Sequence, residues 1–304
     1  MSQQTSSADG RTSWRGILSN YFLLTKPWIV GLLLMTTLCS MLIAARGLPP
    51  LSILFLTLLG GACAAGGANA VNSYVDRETD KVMGRTARRP LPSGRIAPRN
   101  ALIFALTLCA LSIVILGFGV NWFAATLSTI GIVYYAYAYT VLLKRLTPQN
   151  IVIGGGAGAI PPLVGWVAVT NELSVLPLYL FAIIFLWTPP HTWALMLLVE
   201  KDYRKAAIPM LPVVWGEVET RRHIILYSIL LFIVTLMPFL FHGLGWLYFI
   251  GALSLGGYFL WLATRLWFAR DTGKPIARKL YYYSNGYLAL LFLLMVIDAI
   301  LLPV

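Results

Sequence analysis

Long, unbroken runs of apolar residues constrain the fold of this chain more than any other feature. Crossing the hydrocarbon core of a bilayer takes roughly 20 mostly apolar residues in an α-helix. About nine segments of the chain meet this criterion. They lie near residues 28–46, 51–71, 100–119, 122–143, 151–171, 175–198, 223–241, 244–268 and 280–302. The sequence therefore predicts an all-α, polytopic membrane protein, a bundle of nine transmembrane helices.

The composition supports the bilayer as the solvent of this chain. Apolar side chains make up 59% of the 304 residues and charged ones only 11%, and the mean hydropathy is +0.77. A soluble domain cannot bury so large an apolar fraction, because polar residues must cover its surface. The unbroken runs also favour helices over a barrel, whose strands alternate apolar and polar residues. Composition thus excludes a soluble protein and a membrane barrel.

The chain divides into a polar start and an apolar remainder. We expect a polar cytoplasmic tail at residues 1–20 and a single transmembrane domain at 21–304. No short apolar segment with a small-residue cleavage site precedes the first span, so we expect no cleaved signal peptide. The three cysteines lie inside predicted spans, where we expect packing and not disulfides or metal binding. They are Cys39, Cys63 and Cys109.

The basic residues are distributed asymmetrically between the predicted connections. The formal net charge is +12, and 22 of the 23 Lys and Arg residues fall on one side if the N-terminus is cytoplasmic. Only Arg46 then lies outside. Such a bias in short loops follows the positive-inside rule. The sequence thus predicts an N-inside, C-outside topology. Orientation and lipid headgroups account for most of the charge, so no nucleic-acid partner is expected.

Three polar residues recur at intervals of four where the second span ends, in N-S-Y-V-D-R-E-T-D at 72–80. On a helix, a step of four turns the side chain by only about 40°, so Asn72, Asp76 and Asp80 project from one stripe. Two carboxylates at this spacing repel each other, and burial at a membrane edge adds a desolvation cost. A divalent cation offsets both effects, and carboxylate and amide oxygens suit Mg²⁺. The stripe therefore predicts a Mg²⁺ site.

The basic stretch at residues 83–95 bears on two interpretations of these acids. In the first, Asp76 and Asp80 only form ion pairs in a solvated loop. Their partners would then be Arg77, Lys81 or Arg85. In the second, guanidinium groups bind phosphate oxygens in pairs and hold a diphosphate together with the cation. The stretch supplies Arg85, Arg88, Arg89 and Arg95, which favours the second interpretation.

The sixth span contributes a second group of candidate residues. Pro189 and Pro190 should break or bend its helix, and such breaks in a membrane usually border a cavity or a partner. His191 follows directly, as a hydrogen-bonded structural residue or as a functional one. Near the cytoplasmic end, Lys201 could hold phosphate, and Asp202 could bind a second metal ion or orient a base. An ordinary ion pair in a loop is the alternative for these two.

Aromatic and basic residues meet at the end of the fourth span. Tyr135 and Tyr139 belong to the run Y-Y-A-Y-A-Y at 134–139, and Lys144 and Arg145 follow it. Aromatic faces can stabilise a carbocation or stack on a flat ligand. Simple enrichment of tyrosine at a membrane interface is the alternative.

Several of these motifs together resemble the UbiA superfamily of intramembrane prenyltransferases, and within it the haem-directed branch. The resemblance extends from L-T-K-P at 24–27 to the last span. It also includes N-S-Y-V-D-R-E-T-D with the downstream M-x-R-T-x-x-R-P-L, G-A-I-P-P-L-V-G-W at 158–166, W-T-P-P-H-T-W-A-L at 187–195 and K-D-Y-x-x-A-x-I-P-M-L-P at 201–212. One departure concerns the second D-x-x-x-D motif of quinone-directed members, because Leu198 stands at its first position and Asp202 at its second. The resemblance implies nine helices around a central cavity.

The resemblance further implies transfer of a farnesyl group from farnesyl diphosphate to the 2-vinyl group of haem b, in a bacterial plasma membrane. Mg²⁺ on Asn72, Asp76 and Asp80 would withdraw the diphosphate. The substrate would be bound by Arg77, Arg85, Arg88, Arg89, Lys144, Arg145, Lys201, Tyr135 and Tyr139. His191, as an iron ligand or as a base for the water that quenches the product cation, and Asp202 would complete the catalytic set. Haem A synthase and oxidase-assembly proteins are the candidate protein partners.

Two other functions are compatible with the same residues. A prenyltransferase for an aromatic, quinone or chlorophyll-type acceptor would share the metal site, so the choice of acceptor depends on the resemblance around 187–212. A secondary transporter of an anionic substrate would also use broken, basic-lined helices. The breaks would lie near Pro161, Pro162, Pro189 and Pro190. Transporters usually place their site at mid-membrane, however, whereas the charges here cluster on the inner face, and we therefore favour a prenyltransferase.

Overall fold

Nine long helices make up most of the chain. The computed structural model describes residues 13–269 and 273–301, and within them nine helices are long and apolar enough to cross a membrane. They are Pro27–Ala45, Leu51–Val75, Pro98–Gly119, Trp122–Leu146, Asn150–Thr170, Val175–Lys205, Gly216–Leu240, Trp246–Trp267 and Lys274–Leu301. Each matches one of the predicted apolar runs. The predicted all-α bundle is therefore confirmed, and the chain is an integral, multi-pass membrane protein.

Short helices adjoin the ends of several spans. In chain order they are α1 (Trp14–Leu24), α4 (Arg77–Val82), α7 (Lys144–Leu146) and α10 (Leu211–Val214). The spans are numbered with them as α2, α3, α5, α6, α8, α9, α11, α12 and α13. The fourth span consists of α6 proper (Trp122–Val133), a π-helical segment (Tyr134–Leu143) and α7. Helix α1 begins within the predicted polar tail. Residues 1–12 of that tail lie outside the described residues, and so does Arg270, in the connection before the last span.

Helix α9 differs from the prediction in the position of its interruption. Pro189 and Pro190 lie inside a continuous helix, and the backbone departs from helical geometry at Val199 instead, with φ −119° and ψ 21°. Of the two predicted outcomes, a break or a bend at the prolines, the break does not occur. Neighbouring helices in a membrane can satisfy the backbone groups that proline frees, so proline does not have to end a span.

Helix α8 also continues through two prolines, and it is hydrogen-bonded to a neighbouring helix. Pro161 and Pro162 lie inside α8, and their carbonyl oxygens face hydroxyl groups of α2. Ser40 Oγ donates to the carbonyl of Pro162 over 2.6 Å, and Thr37 Oγ1 to that of Pro161 over 3.4 Å. These hydrogen bonds join α2 to α8, the two helices that also form one wall of the central cavity described below.

Gly165 permits this close approach of α2 and α8. A Cβ at Gly165 would lie 2.4 Å from the carbonyl oxygen of Thr37, which is backbone and cannot move aside. At Gly158 on the same helix, a Cβ would meet no atom within 4 Å. We expect Gly165→Ala to cost about 1–3 kcal/mol, because overpacking forces the helices apart. Thermal unfolding of the purified protein in detergent measures this. Gly158→Ala is the matched control, and equal melting temperatures for the two variants would contradict the packing described here.

Two apolar clusters position the functional end of the bundle. The larger one joins α9, α11, α12 and α13 around fully buried side chains such as Trp193, Phe259 and Tyr287. A smaller one joins α1, the connection before α5, α3 and α5. The three cysteines are free thiols, as the prediction of a packing role requires.

Candidate active site

The three predicted metal ligands lie together at the junction of α3 and α4. The helical path continues through Asp76, since its N–H donates to Asn72 O over 2.9 Å and the N–H of Asp80 to Asp76 O over 2.8 Å. The amide of Asn72 also donates to Asp76 Oδ2 over 2.9 Å. All three residues are only 5% exposed. The spacing of four thus places two carboxylates and an amide on one buried stripe.

Three basic side chains from distant parts of the sequence converge on this stripe. Lys144 Nζ lies 2.5 Å from Asp76 Oδ2, and Arg89 Nη1 lies 3.0 Å from Asp80 Oδ2. Lys26, which precedes the first span, donates to Asn72 Oδ1. Each of the three stripe residues therefore has a cation on one of its oxygen atoms. Sequence reasoning selected Lys144 and Arg89 but missed Lys26, although the L-T-K-P stretch that contains it belongs to the family resemblance.

The electrostatics of the cluster favour an additional anion. Burial, followed by the positive charges of Arg89 and Lys144, lowers the pKa of Lys26 to about 7. Three basic groups thus share two carboxylates in a poorly solvated place, where uncompensated positive charge is costly. Further negative charge, such as that of phosphate oxygens, would relieve this repulsion.

The solvated-loop interpretation does not describe Asp76 and Asp80. Both carboxylates are buried, and their partners are not the ones that interpretation requires. Arg77 and Lys81 instead lie 3.7 and 2.8 Å from the exposed Glu78. The basic residues nearest in sequence thus pair with the acid that points away from the stripe.

The oxygen atoms of the stripe fit a hard divalent cation. Among the residues described, no group of three or more His, Cys, Asp or Glu side chains could hold a metal by itself. A cation here would be held by Asp76, Asp80 and the amide oxygen of Asn72, with water or phosphate oxygens completing its shell. Mg²⁺ characteristically binds one or two carboxylates, waters and substrate phosphates. The ammonium groups of Lys26 and Lys144 contact the same oxygens, which shows that these oxygens attract positive charge.

The π-helical segment brings two tyrosines to the edge of the site. The rings of Tyr135 and Tyr139 stack with their centroids 5.5 Å apart. Thr140 accepts from the Asn72 amide over 3.1 Å and donates to Tyr135 O over 2.8 Å, so it ties the segment to the stripe. π-Helical turns often occur at functional sites. A Cβ at Gly154 would lie 2.2 Å from the Tyr139 ring, so only glycine lets this ring rest against α8.

A cavity of about 350 Å³ extends from these tyrosines into the bundle. Its volume falls within the range of about 300–1,000 Å³ typical of small-molecule sites. Its walls come from α2, α3, the fourth span, α8 and α9, and most of the lining residues are small or apolar. Representative members are Ala64, Ala68, Gly131, Gly155, Gly158 and Val164. Asn69 also lines it, one helical turn before the stripe begins. The predicted central cavity is therefore present, and Asn69, Tyr135 and Tyr139 are the lining residues nearest to the stripe.

His191 lies beside the cavity wall. Its Nδ1 is 2.6 Å from Ser284 Oγ on α13, and its ring stacks on Trp187 with centroids 4.1 Å apart. Trp187 lines the cavity, whereas His191 does not, and the centroid of the His191 ring lies 5.0 Å from that of Tyr281. The structure thus gives His191 hydrogen-bonded and stacked neighbours, and its predicted catalytic role stays a prediction.

The other predicted residues are more exposed than the stripe. Arg85, Arg88 and Lys201 are exposed, and Asp202 is half-buried. Arg145 donates to the carbonyl of Val75, the residue before Asp76, over 3.4 Å. Tyr203, which sequence reasoning did not select, interacts electrostatically with Tyr135 and Tyr139, so the end of α9 lies near the π-helical segment. The assigned binding roles of these residues remain predictions.

Comparison with known proteins identifies a matching family and individual relatives in sequence. The model of the UbiA prenyltransferase family matches residues 33–286. A protoheme IX farnesyltransferase from Chloroflexus aurantiacus is 49% identical over 98% of this chain and 50% of its own length. One from Trichodesmium erythraeum is 49% identical over 93% of this chain and 87% of its own length. The chain thus spans about half the length of the first relative and most of the second.

Solved structures share the fold at lower identity. A digeranylgeranylglyceryl phosphate synthase structure matches with a TM-score of 0.78 and 21% identity, over 94% of this chain and 99% of that one. A UbiA homologue from Archaeoglobus fulgidus, bound to DMAPP and Mg²⁺, matches with a TM-score of 0.66 and 16% identity, over 91% and 99%. At these identities the likeness concerns the arrangement of helices.

Proposed function

The chain belongs to the UbiA prenyltransferase family, and on this premise we propose that it transfers a farnesyl group from farnesyl diphosphate to the 2-vinyl group of haem b. The observation that carries the proposal is the buried stripe of Asn72, Asp76 and Asp80, which is faced by three basic side chains and lies near a mostly apolar cavity. Its relatives of 48–49% identity named protoheme IX farnesyltransferase support haem as the acceptor.

The stripe and its basic neighbours would act on the diphosphate. Asp76, Asp80 and Asn72 would hold Mg²⁺, which supplies positive charge to the oxygens of a departing diphosphate. Arg89 can bind two phosphate oxygens with its planar guanidinium, and Lys144 and Lys26 add point charges. Fixed positive charge that meets developing negative charge in a dry site lowers the barrier to C–O cleavage. The exposed Arg85, Arg88, Arg145 and Lys201, with the half-buried Arg77, would attract the anion to this end of the bundle.

The cavity would hold the isoprenoid chain. Its lining is mostly small and apolar, with a few polar side chains such as Asn69, Ser128 and Thr188. Tyr135 and Tyr139 lie between the stripe and the cavity, where C1 of the farnesyl group would sit. Aromatic faces stabilise a nearby cation, and exclusion of water prevents its early hydrolysis.

The acceptor step would form one carbon–carbon bond. As the C1–O bond of farnesyl diphosphate breaks, the terminal vinyl carbon of haem b bonds to C1, and the positive charge moves to the inner vinyl carbon. Water adds there and loses a proton, which leaves a hydroxyethylfarnesyl group. We place His191 on the acceptor side, as an iron ligand or as the base for this water, since it stacks on the Trp187 of the cavity wall. Asp202 would bind a second metal ion or orient a base.

The same cluster supports a proposal for the orientation. The basic residues predicted to be cytoplasmic include Lys26, Arg89 and Lys144, and these converge at one end of the bundle. We propose that this end faces the cytoplasm of a bacterium, with the N-terminus inside and the C-terminus outside. Haem A synthase and oxidase-assembly proteins are the proposed protein partners.

Product analysis tests the choice of reaction. The purified chain in lipid vesicles is incubated with farnesyl diphosphate, Mg²⁺ and haem b, and the extracted porphyrin is weighed by mass spectrometry. We expect haem that has gained a farnesyl group and a hydroxyl group. Unchanged haem, with prenylation of an added aromatic quinone precursor, would select the rival prenyltransferase. Counterflow of an anion without any product would select the transporter.

A further inference from the structure

Helix α1 presents an unpartnered apolar stripe. Trp14, Leu18 and Phe22 are 82%, 69% and 63% exposed, and their spacing of four places them on one side of the helix. Arg15 and Ser19 are exposed on the adjacent side. A helix with an apolar stripe beside a polar one is the pattern of segments that lie in the plane of a membrane interface.

The opposite side of α1 packs against the protein. Asn20 and Leu24 are 7% and 2% exposed, and the Tyr21 ring lies 5.0 Å from Phe104 on α5. Leu24 belongs to the small apolar cluster that includes Leu91 and Ile96, in the connection between α4 and α5. Helix α1 therefore rests on the segment that carries the arginines of the candidate site.

A chain of hydrogen bonds joins α1 to that segment. Arg95 Nη1 donates to Asn20 Oδ1 over 2.9 Å, while Arg95 Nη2 donates to Arg88 O over 2.6 Å and Nε to Ser93 Oγ over 3.0 Å. Arg89, the next residue after Arg88, contacts Asp80. One guanidinium group thus connects the α1 side chain to the backbone that positions Arg89.

The exposed stripe continues into the first membrane span. Only Thr25 and Lys26 separate α1 from α2, and the first turn of α2 exposes Trp28 at 89% and Ile29 at 45%. Tryptophan at the start of a span is typical of the membrane interface. The occupant that matches an apolar stripe next to a span, with exposed Arg15 beside it, is the bilayer surface with anionic headgroups.

We propose that α1 lies in the membrane–water interface with Trp14, Leu18 and Phe22 in the lipid, and that its Asn20–Arg95 contact holds the 83–97 segment in place for diphosphate binding. Arg95 is a positioning residue, because it acts through the backbone of Arg88 and Arg89. The second part of the proposal rests on the proposed function, whereas the location of α1 does not.

The depth of a single fluorescent label in the bilayer tests whether α1 lies in the membrane interface. Cys39, Cys63 and Cys109 are replaced by alanine, and a fluorescent label is attached to Leu18→Cys or, as matched control, to the neighbouring Ser19→Cys. The full chain is reconstituted in phosphatidylcholine–phosphatidylglycerol vesicles that contain lipids brominated near the glycerol end of the acyl chains. We expect strong quenching at position 18 and weak quenching at 19. Equal, weak quenching at both positions would overturn the membrane location.

Asn20 variants test the positioning role. We expect Asn20→Ala to accelerate amide hydrogen exchange in the 83–97 segment and to raise KM for farnesyl diphosphate about 3- to 10-fold, with kcat within about twofold. Asn20→Asp keeps an acceptor for Arg95 and should restore both values, and Ser19→Ala should leave both unchanged. Wild-type exchange in Asn20→Ala, or failure of Asn20→Asp to restore it, would overturn the positioning role. The exchange measurement decides this even if no farnesyl transfer is found.

Discussion

Replacing Asp76 or Asp80 with alanine should lower the farnesyl transfer rate by about 10²- to 10³-fold or more, the loss typical when one group that stabilises developing charge is removed. Each carboxylate is buried and offers oxygens for the metal, so no water can substitute for it in the same geometry. Initial rates of product formation in vesicles, at saturating Mg²⁺ and farnesyl diphosphate, measure the effect. Each variant leaves a basic partner, Arg89 or Lys144, without its carboxylate, so thermal unfolding of both variants is measured beside the rate to separate loss of folding from loss of activity.

Glu78→Ala is the matched control for this loss. Glu78 lies on α4 between the two aspartates, but it is exposed and pairs with Arg77 and Lys81. Its removal should leave the rate within about twofold, because a surface ion pair contributes little. If Asp76→Ala or Asp80→Ala were as active as Glu78→Ala, neither carboxylate would be part of the catalytic machinery.

Replacing Gly158 with phenylalanine should shift the enzyme from farnesyl diphosphate to a shorter allylic diphosphate. A Cβ at Gly158 meets no atom within 4 Å, and the residue lines the cavity, so the new ring would occupy space proposed for the isoprenoid chain. We expect kcat/KM for farnesyl diphosphate to fall about 10²-fold, whereas that for dimethylallyl diphosphate falls less than about threefold. Excluding a bulky group from a filled pocket has effects of this order.

A second glycine supplies the control for this substitution. Gly257 on α12 also has open space at its Cβ but does not line the cavity. Gly257→Phe should keep the ratio of kcat/KM for the two diphosphates at its wild-type value. If Gly158→Phe also kept the wild-type ratio, the isoprenoid chain of the substrate would bind outside this cavity.

Hydropathy and helical spacing were sufficient to predict the spans and the stripe. Both depend on local periodicity: about 20 apolar residues cross a bilayer, and residues four apart share a helix face. Asn72, Asp76 and Asp80 therefore met as predicted, because α3 and α4 continue one helical path. The same reasoning could not decide whether Pro189 and Pro190 break the helix or only bend it, since a neighbouring helix can compensate for proline and the sequence of one helix does not reveal its neighbour.

The contacts between distant segments were beyond sequence reasoning. Lys26 contacts Asn72 and Lys144 contacts Asp76 only because α2 and the fourth span pack beside α3, and no local pattern specifies this packing. The π-helical geometry of residues 134–143 was missed for the same reason. The position of the Tyr139 ring in this segment requires that Gly154, on a different helix, has no side chain. The proposal of haem b as the acceptor depends on the relatives and not on the geometry of the site, because the stripe would bind the diphosphate of any allylic substrate.

The central claim is that the stripe binds a divalent cation that in turn binds diphosphate, and calorimetric titration tests it most directly. A non-reactive farnesyl thiodiphosphate is titrated into the purified protein with Mg²⁺ or with EDTA, for the wild type, Asp80→Ala and Glu78→Ala. The account predicts tight binding with Mg²⁺ for the wild type and Glu78→Ala, and affinity at least about tenfold weaker in EDTA or in Asp80→Ala. Equal affinity with and without Mg²⁺, and in Asp80→Ala, would contradict it.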